Sequence, residues 1–161
     1  MTDAPLAFFV TWTVYGTFLQ GDARGWRKWG KGIQTPQPGL AAWHAERLKH
    51  PILLLNQAHR DCVEQELQRL STCRGWRLWA KAARTNHVHV VVHAKDVAGS
   101  KVRDQFKANC TRVLRENWPQ FVDRPVWCEG GDWQCINDED GLELAMLYVT
   151  EAQDRKGIEN P

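Results

Sequence analysis

Apolar residues along this chain alternate, switch to a three-to-four spacing, and alternate again, and these switches divide it into elements. Ala7 to Tyr15, dense in Phe, Val, Thr and Trp, predicts a first strand that Gly16 ends. Between Asn56 and Ser71, Ala58, Cys62, Val63, Leu67 and Leu70 recur at helical spacing, with Gly75 as the stop. Trp76 to Ala83 and His87 to His93 predict two strands, joined into a hairpin by Arg84-Thr85-Asn86. Ser100 to Asn117 carries Val102, Phe106, Cys110, Val113 and Leu114 on one helical stripe and is closed by Pro119. Val126 to Ile136, interrupted by Gly130-Gly131, predicts a weak hairpin or edge strand. Asp138 to about Arg155 predicts a last helix, whose opening acidic residues Asp138, Glu139 and Asp140 suit the positive end of its dipole.

The order strand, helix, strand, strand, helix, strand is the split βαβ, or ferredoxin-like, pattern. The expected class is therefore α+β: an antiparallel sheet with helices on one face and an appended C-terminal helix. With 161 residues the chain makes one domain with room for a real core. Residues 16–40 stand apart as a long loop or insertion. From Gly16 to Pro38 it holds five glycines and two prolines, and connections of that length are usually functional or disordered.

Chemistry enters at His87-Val88-His89-Val90-Val91-Val92. Successive strand residues face opposite sides, so His87 and His89 share one face with Cα atoms roughly 6.6 Å apart, and Val88, Val90 and Val92 take the other. Two imidazoles at that spacing can converge on a metal ion, or can simply be satisfied histidines on a half-buried strand. A site needs a third ligand and a reactive group from elsewhere.

The last helix offers candidates for both. Leu142, Ala145, Met146, Val149 and Ala152 form its apolar stripe, Gln153 lies on that stripe, and Tyr148, one of two tyrosines, lies off it. A polar amide on an apolar stripe needs a partner, which a metal or a nearby backbone group can supply.

Composition narrows the rest. The net charge of +2 is too small to imply a nucleic-acid partner, so that case rests on local clusters. Trp26 and Trp29 sit among Arg24, Arg27, Lys28 and Lys31, and Trp76 and Trp79 among Arg74, Arg77 and Lys81. Such interleaving suits stacking on unpaired bases while cations track phosphates, although many of the nine tryptophans are expected in the core. The polar face of the second predicted helix carries Lys101, Arg103, Lys107, Arg112 and Arg115, either a solvated face or a phosphate-binding one. The five cysteines show no CxxC spacing, and the first residues carry no basic leader, so a reducing cytoplasmic location is expected. No apolar run approaches the roughly 20 residues that would span a bilayer, and no membrane partner is expected.

Three segments together, TNHVHVVVHA, LYVTEAQDRKG and TWTVYGTFLQGDARGW, resemble the single-tyrosine HUH transposases, the group that includes insertion-sequence and REP-associated tyrosine transposases. The resemblance runs from about Phe8 to Lys156 and makes residues 138–156 the catalytic-tyrosine helix. It implies a DNA transposase that cleaves and rejoins single-stranded, hairpin-bearing DNA through a covalent 5′-phosphotyrosine. Tyr148 would be the nucleophile, and His87 and His89 would hold Mg²⁺ or Mn²⁺ with a polar residue of the last helix. A free phenol titrates near pH 10, about three units above neutrality, so the nucleophile needs a base or local positive charge.

The chain departs from the family pattern at Ala152, four residues after the tyrosine, where an Asn or Gln is expected. Gln153 is the favoured third ligand, but it lies about 140° round an α-helix from Tyr148, and Glu151 is the alternative. A local bulge, or a tyrosine serving a partner subunit's histidines in a homodimer, would relax that objection. Trp26, Arg27, Lys28 and Trp29, with Lys101, Arg103, Lys107 and Arg112, are the candidate DNA contacts.

Two other classes compete with this reading. The run HVHVVV resembles that of histidine-triad nucleotide hydrolases, but their third histidine falls at Val91. The other is a non-catalytic or domesticated nucleic-acid-binding protein of the same fold, which has no need of the paired histidines.

Overall fold

The computed structural model describes residues 4–17, 26–28 and 32–152, with backbone alone at 26–28, 32–34 and 152. Its elements are β1 (Ala7–Thr13), β2 (Trp26–Lys28), β3 (Gly32–Gln34), α1 (Pro38–Glu46), α2 (Gln57–Arg74), β4 (Arg77–Ala83), β5 (His87–His93), α3 (Gly99–Asn117), β6 (Asp132–Ile136) and α4 (Glu139–Leu147). A 3₁₀ turn, Pro119–Phe121, follows α3, and a π-helical turn, Tyr148–Ala152, continues α4. The class is α+β: four strands form one sheet in the order β4-β5-β1-β6, each pair of neighbours antiparallel.

Local chemistry explains the boundaries. Asn56 caps α2 by accepting the His59 backbone N–H at 2.9 Å, and His59 Nδ1 accepts the Asn56 N–H at 3.1 Å. The helix ends at Gly75, whose φ of +73° is easy only for glycine. Asp138 caps α4 through the Gly141 N–H at 2.6 Å.

Alternation then sorts the sheet into two apolar layers. Phe8, Val10 and Trp12 of β1 and Val88, Val90 and Val92 of β5 meet Val63, Leu67 and Leu70 of α2 and Val102, Phe106, Cys110 and Leu114 of α3. Trp12 stacks on Phe106 and meets Trp127 edge-on, and Trp76 closes on Phe106, so these tryptophans are core. The opposite face carries Ala7, Ala80, Ala82, Val91 and Ile136, covered by Leu142, Ala145, Met146 and Val149. The α4 stripe thus packs where its spacing predicts, while Leu144 on its other side is 68% exposed.

The expected long loop at 16–40 is in part structured: β2 and β3 pair as a ribbon, and α1 starts at Pro38. None of the residues of α1 is buried, so it lacks the apolar stripe by which a helix is read from sequence. Among the described residues no helix is long and apolar enough to cross a membrane.

One buried titratable group gives the fold a pH dependence. The His59 ring is 2% exposed, enclosed edge-on by Trp118 and Phe121 at centroid distances of 4.6 and 4.8 Å. Burial, then the charge of Arg60, holds its pKa below the ordinary 6.5. As pH falls the unfolded chain takes this proton first, so the contribution to stability is whole above pH 6.5 and is lost as pH falls through the depressed folded-state value. Urea midpoints at pH 7.5 and pH 5 are expected to differ less in His59→Gln than in the wild type. An equal difference would assign the acid sensitivity elsewhere.

Candidate active site

The second face of the sheet assembles a site from three strands and the end of α4. On β5, His89 lies opposite Thr11 of β1 on one side and Ala82 of β4 on the other, and His87 lies opposite Thr13. These short neighbours leave room for two imidazoles, whose centroids are 4.4 Å apart. The Thr11 hydroxyl lies 2.9 Å from His89 Nδ1, and the Asn86 amide oxygen lies 2.5 Å from His87 Nδ1. An amide oxygen only accepts, so His87 Nδ1 is the donor in this contact. Oxygens behind Nδ1 are the arrangement that orients metal-binding histidines.

Tyr148 reaches this pair from the far end of the sequence. Its ring lies edge-on to His89 at 5.7 Å and to Phe9 at 5.8 Å, while Phe9 stacks on His89 at 5.6 Å. His89 is buried at 5% exposure, and Tyr148 is half-buried. The π-helical turn begins at Tyr148, and its next residue, Val149, is wholly buried in the layer beneath. Arg84, in the hairpin turn before the histidines, donates from Nη2 to the Val149 carbonyl at 3.2 Å.

The other predicted residues are less closely gathered. Gln153 and Trp29 lie outside the described residues; Trp26, Arg27 and Lys28 form β2, with their side chains outside the description. Glu151 is exposed, and among the described residues no group of three or more His, Cys, Asp or Glu side chains could hold a metal ion. Trp76 is buried, so the second tryptophan-cation cluster is in part core, and Arg77 stacks over half-buried Trp79 at 4.0 Å.

The cations of α3 stand on the helix that covers the opposite side of the sheet from the histidines. Most are engaged within the protein. Lys107 Nζ donates to the carbonyls of Cys128 at 2.9 Å and Gly130 at 2.5 Å; burial, then Arg103, lowers its pKa. Arg103 donates to the Gly131 carbonyl and pairs with Asp104, and Arg112 pairs with Glu66 and Glu116. Lys101 is exposed, and among the described residues its ammonium meets no partner. Lys107→Ala is therefore expected to cost about 1–3 kcal/mol in urea unfolding, because charged donors to two carbonyls are lost. An unchanged midpoint would return Lys107 to the surface cations.

Sequence reasoning missed Phe9, Thr11, Asn86 and Arg84. A signal existed for the first two: Phe9 and Thr11 alternate with Val10 and Trp12, so they share one face of β1. Nothing local linked Arg84 to Val149.

No protein-family model matches the chain, and no curated protein does. Among solved structures, a Deinococcus radiodurans R1 protein, itself assigned only provisionally as a transposase, aligns with a TM-score of 0.54. Identity is 13%, over 99% of this chain and 92% of that one. At that identity the likeness shows the fold alone, and the fold is one shared with a protein so assigned.

Proposed function

We propose that this chain is a single-stranded DNA transposase of the HUH type, which cuts and rejoins hairpin-bearing DNA through Tyr148. The observation that carries the reading is the convergence of Tyr148 with His89, and of His89 with His87, on one sheet face. The antiparallel order β4-β5-β1-β6, with α2 and α3 as its crossovers, supports a ferredoxin-like reading of the sheet.

In this reading the phenol oxygen of Tyr148 attacks phosphorus, the phenol gives up its proton, and the bond from phosphorus to the 3′ oxygen breaks. The 3′ oxygen leaves as a hydroxyl, and the 5′ phosphate stays on the tyrosine. A 3′ hydroxyl of another strand can reverse the step, so the diester is rebuilt without ATP. His87 and His89, with Nδ1 of each bonded to an oxygen, fit a divalent ion at their Nε2 atoms, Mn²⁺ better than Mg²⁺. Such an ion supplies Lewis-acid polarisation of the scissile phosphate.

The third donor in this reading is Gln153. Gln153 is proposed because Ala152, where the family pattern expects an amide, carries no donor, and Glu151 is the alternative.

In this reading Trp26, Arg27, Lys28 and Trp29 are the proposed contacts with single-stranded DNA, and Lys101 is the readiest α3 cation. Arg103, Lys107 and Arg112 contact DNA in this reading only by sharing or releasing their present bonds. Incubation with Mn²⁺ and a labelled hairpin pool, followed by denaturing electrophoresis, tests the function. An adduct that requires Tyr148 supports it, and DNA binding without any adduct would make the chain a binder of the same fold.

A further inference from the structure

From the Arg84 bond to the π turn we infer that Arg84 is a positioning residue of the tyrosine, a clamp that ties the histidine hairpin to the turn carrying Tyr148. The assignment deepens the proposed strand-transfer reaction and, for its kinetic part, rests on it.

The clamp follows from how the turn that carries Tyr148 is held. The tyrosine ring lies edge-on to His89 at 5.7 Å and to Phe9 at 5.8 Å. The neighbouring Val149 is held twice. Its side chain is wholly buried against the sheet, and its carbonyl accepts Nη2 of Arg84 at 3.2 Å. Carbonyls at the end of a helix carry partial negative charge, and a guanidinium satisfies them better than water does once buried.

Arg84 is fixed on its own side as well. Its backbone N–H donates to the His87 carbonyl at 2.8 Å, so the clamp starts from the residue that opens the histidine strand. Its Nε is buried, and Glu64 of α2 senses it: burial raises the Glu64 pKa, and Lys81 and Arg84 draw it back down. Arg84 therefore ties the hairpin to the π turn. A shift of the turn by even about 1 Å would misplace the phenol oxygen for in-line attack, an error that costs on the order of 100-fold in rate.

The chain has two tyrosines, which makes the test clean. With 3-fluorotyrosine incorporated, ¹⁹F spectra show Tyr15 and Tyr148, assigned by Tyr148→Phe. In Arg84→Met, which keeps a long apolar stem, the Tyr148 resonance is expected to move by more than its line width while that of Tyr15 stays. Arg84→Lys, which retains one donor, should bring it back toward the wild-type position. A Tyr148 resonance in Arg84→Met that coincides with the wild type would overturn the clamp.

Single-turnover adduct formation with Mn²⁺ supplies the second readout. At saturating hairpin DNA the rate in Arg84→Met is expected to fall about 10- to 100-fold, with the Kd for DNA changed less than about 2-fold. A weakened Kd with an unchanged saturated rate would overturn positioning and make Arg84 a DNA contact. If the wild type forms no adduct, the proposed reaction fails and the ¹⁹F shift alone decides the clamp.

Discussion

Tyr148→Phe is expected to abolish the covalent protein–DNA adduct, lowering strand cleavage by at least about 10³-fold, while the fold and the affinity for single-stranded DNA stay near wild type. The substitution removes one oxygen and keeps the ring. The edge contacts to His89 and Phe9 are made by that ring, so they survive. Stability should change by no more than about 1 kcal/mol, since the residue is half-buried and its neighbour Val149 remains the anchor of the turn. The measurement is denaturing electrophoresis of protein with 5′- and 3′-labelled hairpin DNA. An adduct of undiminished yield in the Phe variant would sink the nucleophile assignment. The only other tyrosine, Tyr15, rests against His50, with its hydroxyl accepting the Lys49 N–H at 3.1 Å.

Replacing the histidines should separate chemistry from binding. His87→Ala and His89→Ala are each expected to lower adduct formation by at least about 10²-fold and leave DNA affinity within about 3-fold, because ligands are lost and surface cations are not. Chelation of the wild type should mimic both, and added Mn²⁺ should rescue the wild type alone. The two variants are not equivalent in stability. His89 is buried, stacked on Phe9 and bonded to Thr11, so its removal leaves a cavity and an unanswered hydroxyl. His87 is half-buried and should cost less. Thermal shift with Mn²⁺ gives a readout apart from activity: the wild type should gain stability with metal concentration, and each variant should lose that gain. Metal-independent cleavage by His87→Ala at the wild-type rate would refute the metal role.

Much of this was legible residue by residue. The period-two pattern of β5 put both histidines on one face and Val88, Val90 and Val92 on the other, and register with β1 and β4 kept them there. The stripe Leu142, Ala145, Met146 and Val149 was the packed side of α4. Less legible was the α3 surface: five cations look alike in sequence, yet Lys107 and Arg103 are spent on carbonyls of the Cys128–Gly131 loop. Long side chains choose partners by proximity in space, and that proximity is made by the path of a distant loop. Trp76 is a like case, since neighbouring cations do not reveal that its ring closes on Phe106.

The sequence by itself determined the order of the four sheet strands with α2, α3 and α4, the shared face of His87 and His89, and the apolar stripe of the tyrosine helix. Those are local matters, set by strand and helix periods that hold whatever lies nearby. Only the tertiary structure decided which side of the sheet α4 covers, and with it that Tyr148 meets His89, that Phe9 and Thr11 back the imidazole, and that Arg84 holds the π turn. An amphipathic stripe asks for an apolar surface and does not name one. Here α2 and α3 occupy the Trp12 and Val90 side, so the remaining apolar patch of Ala80, Ala82 and Val91 receives α4 and brings the tyrosine to the histidines.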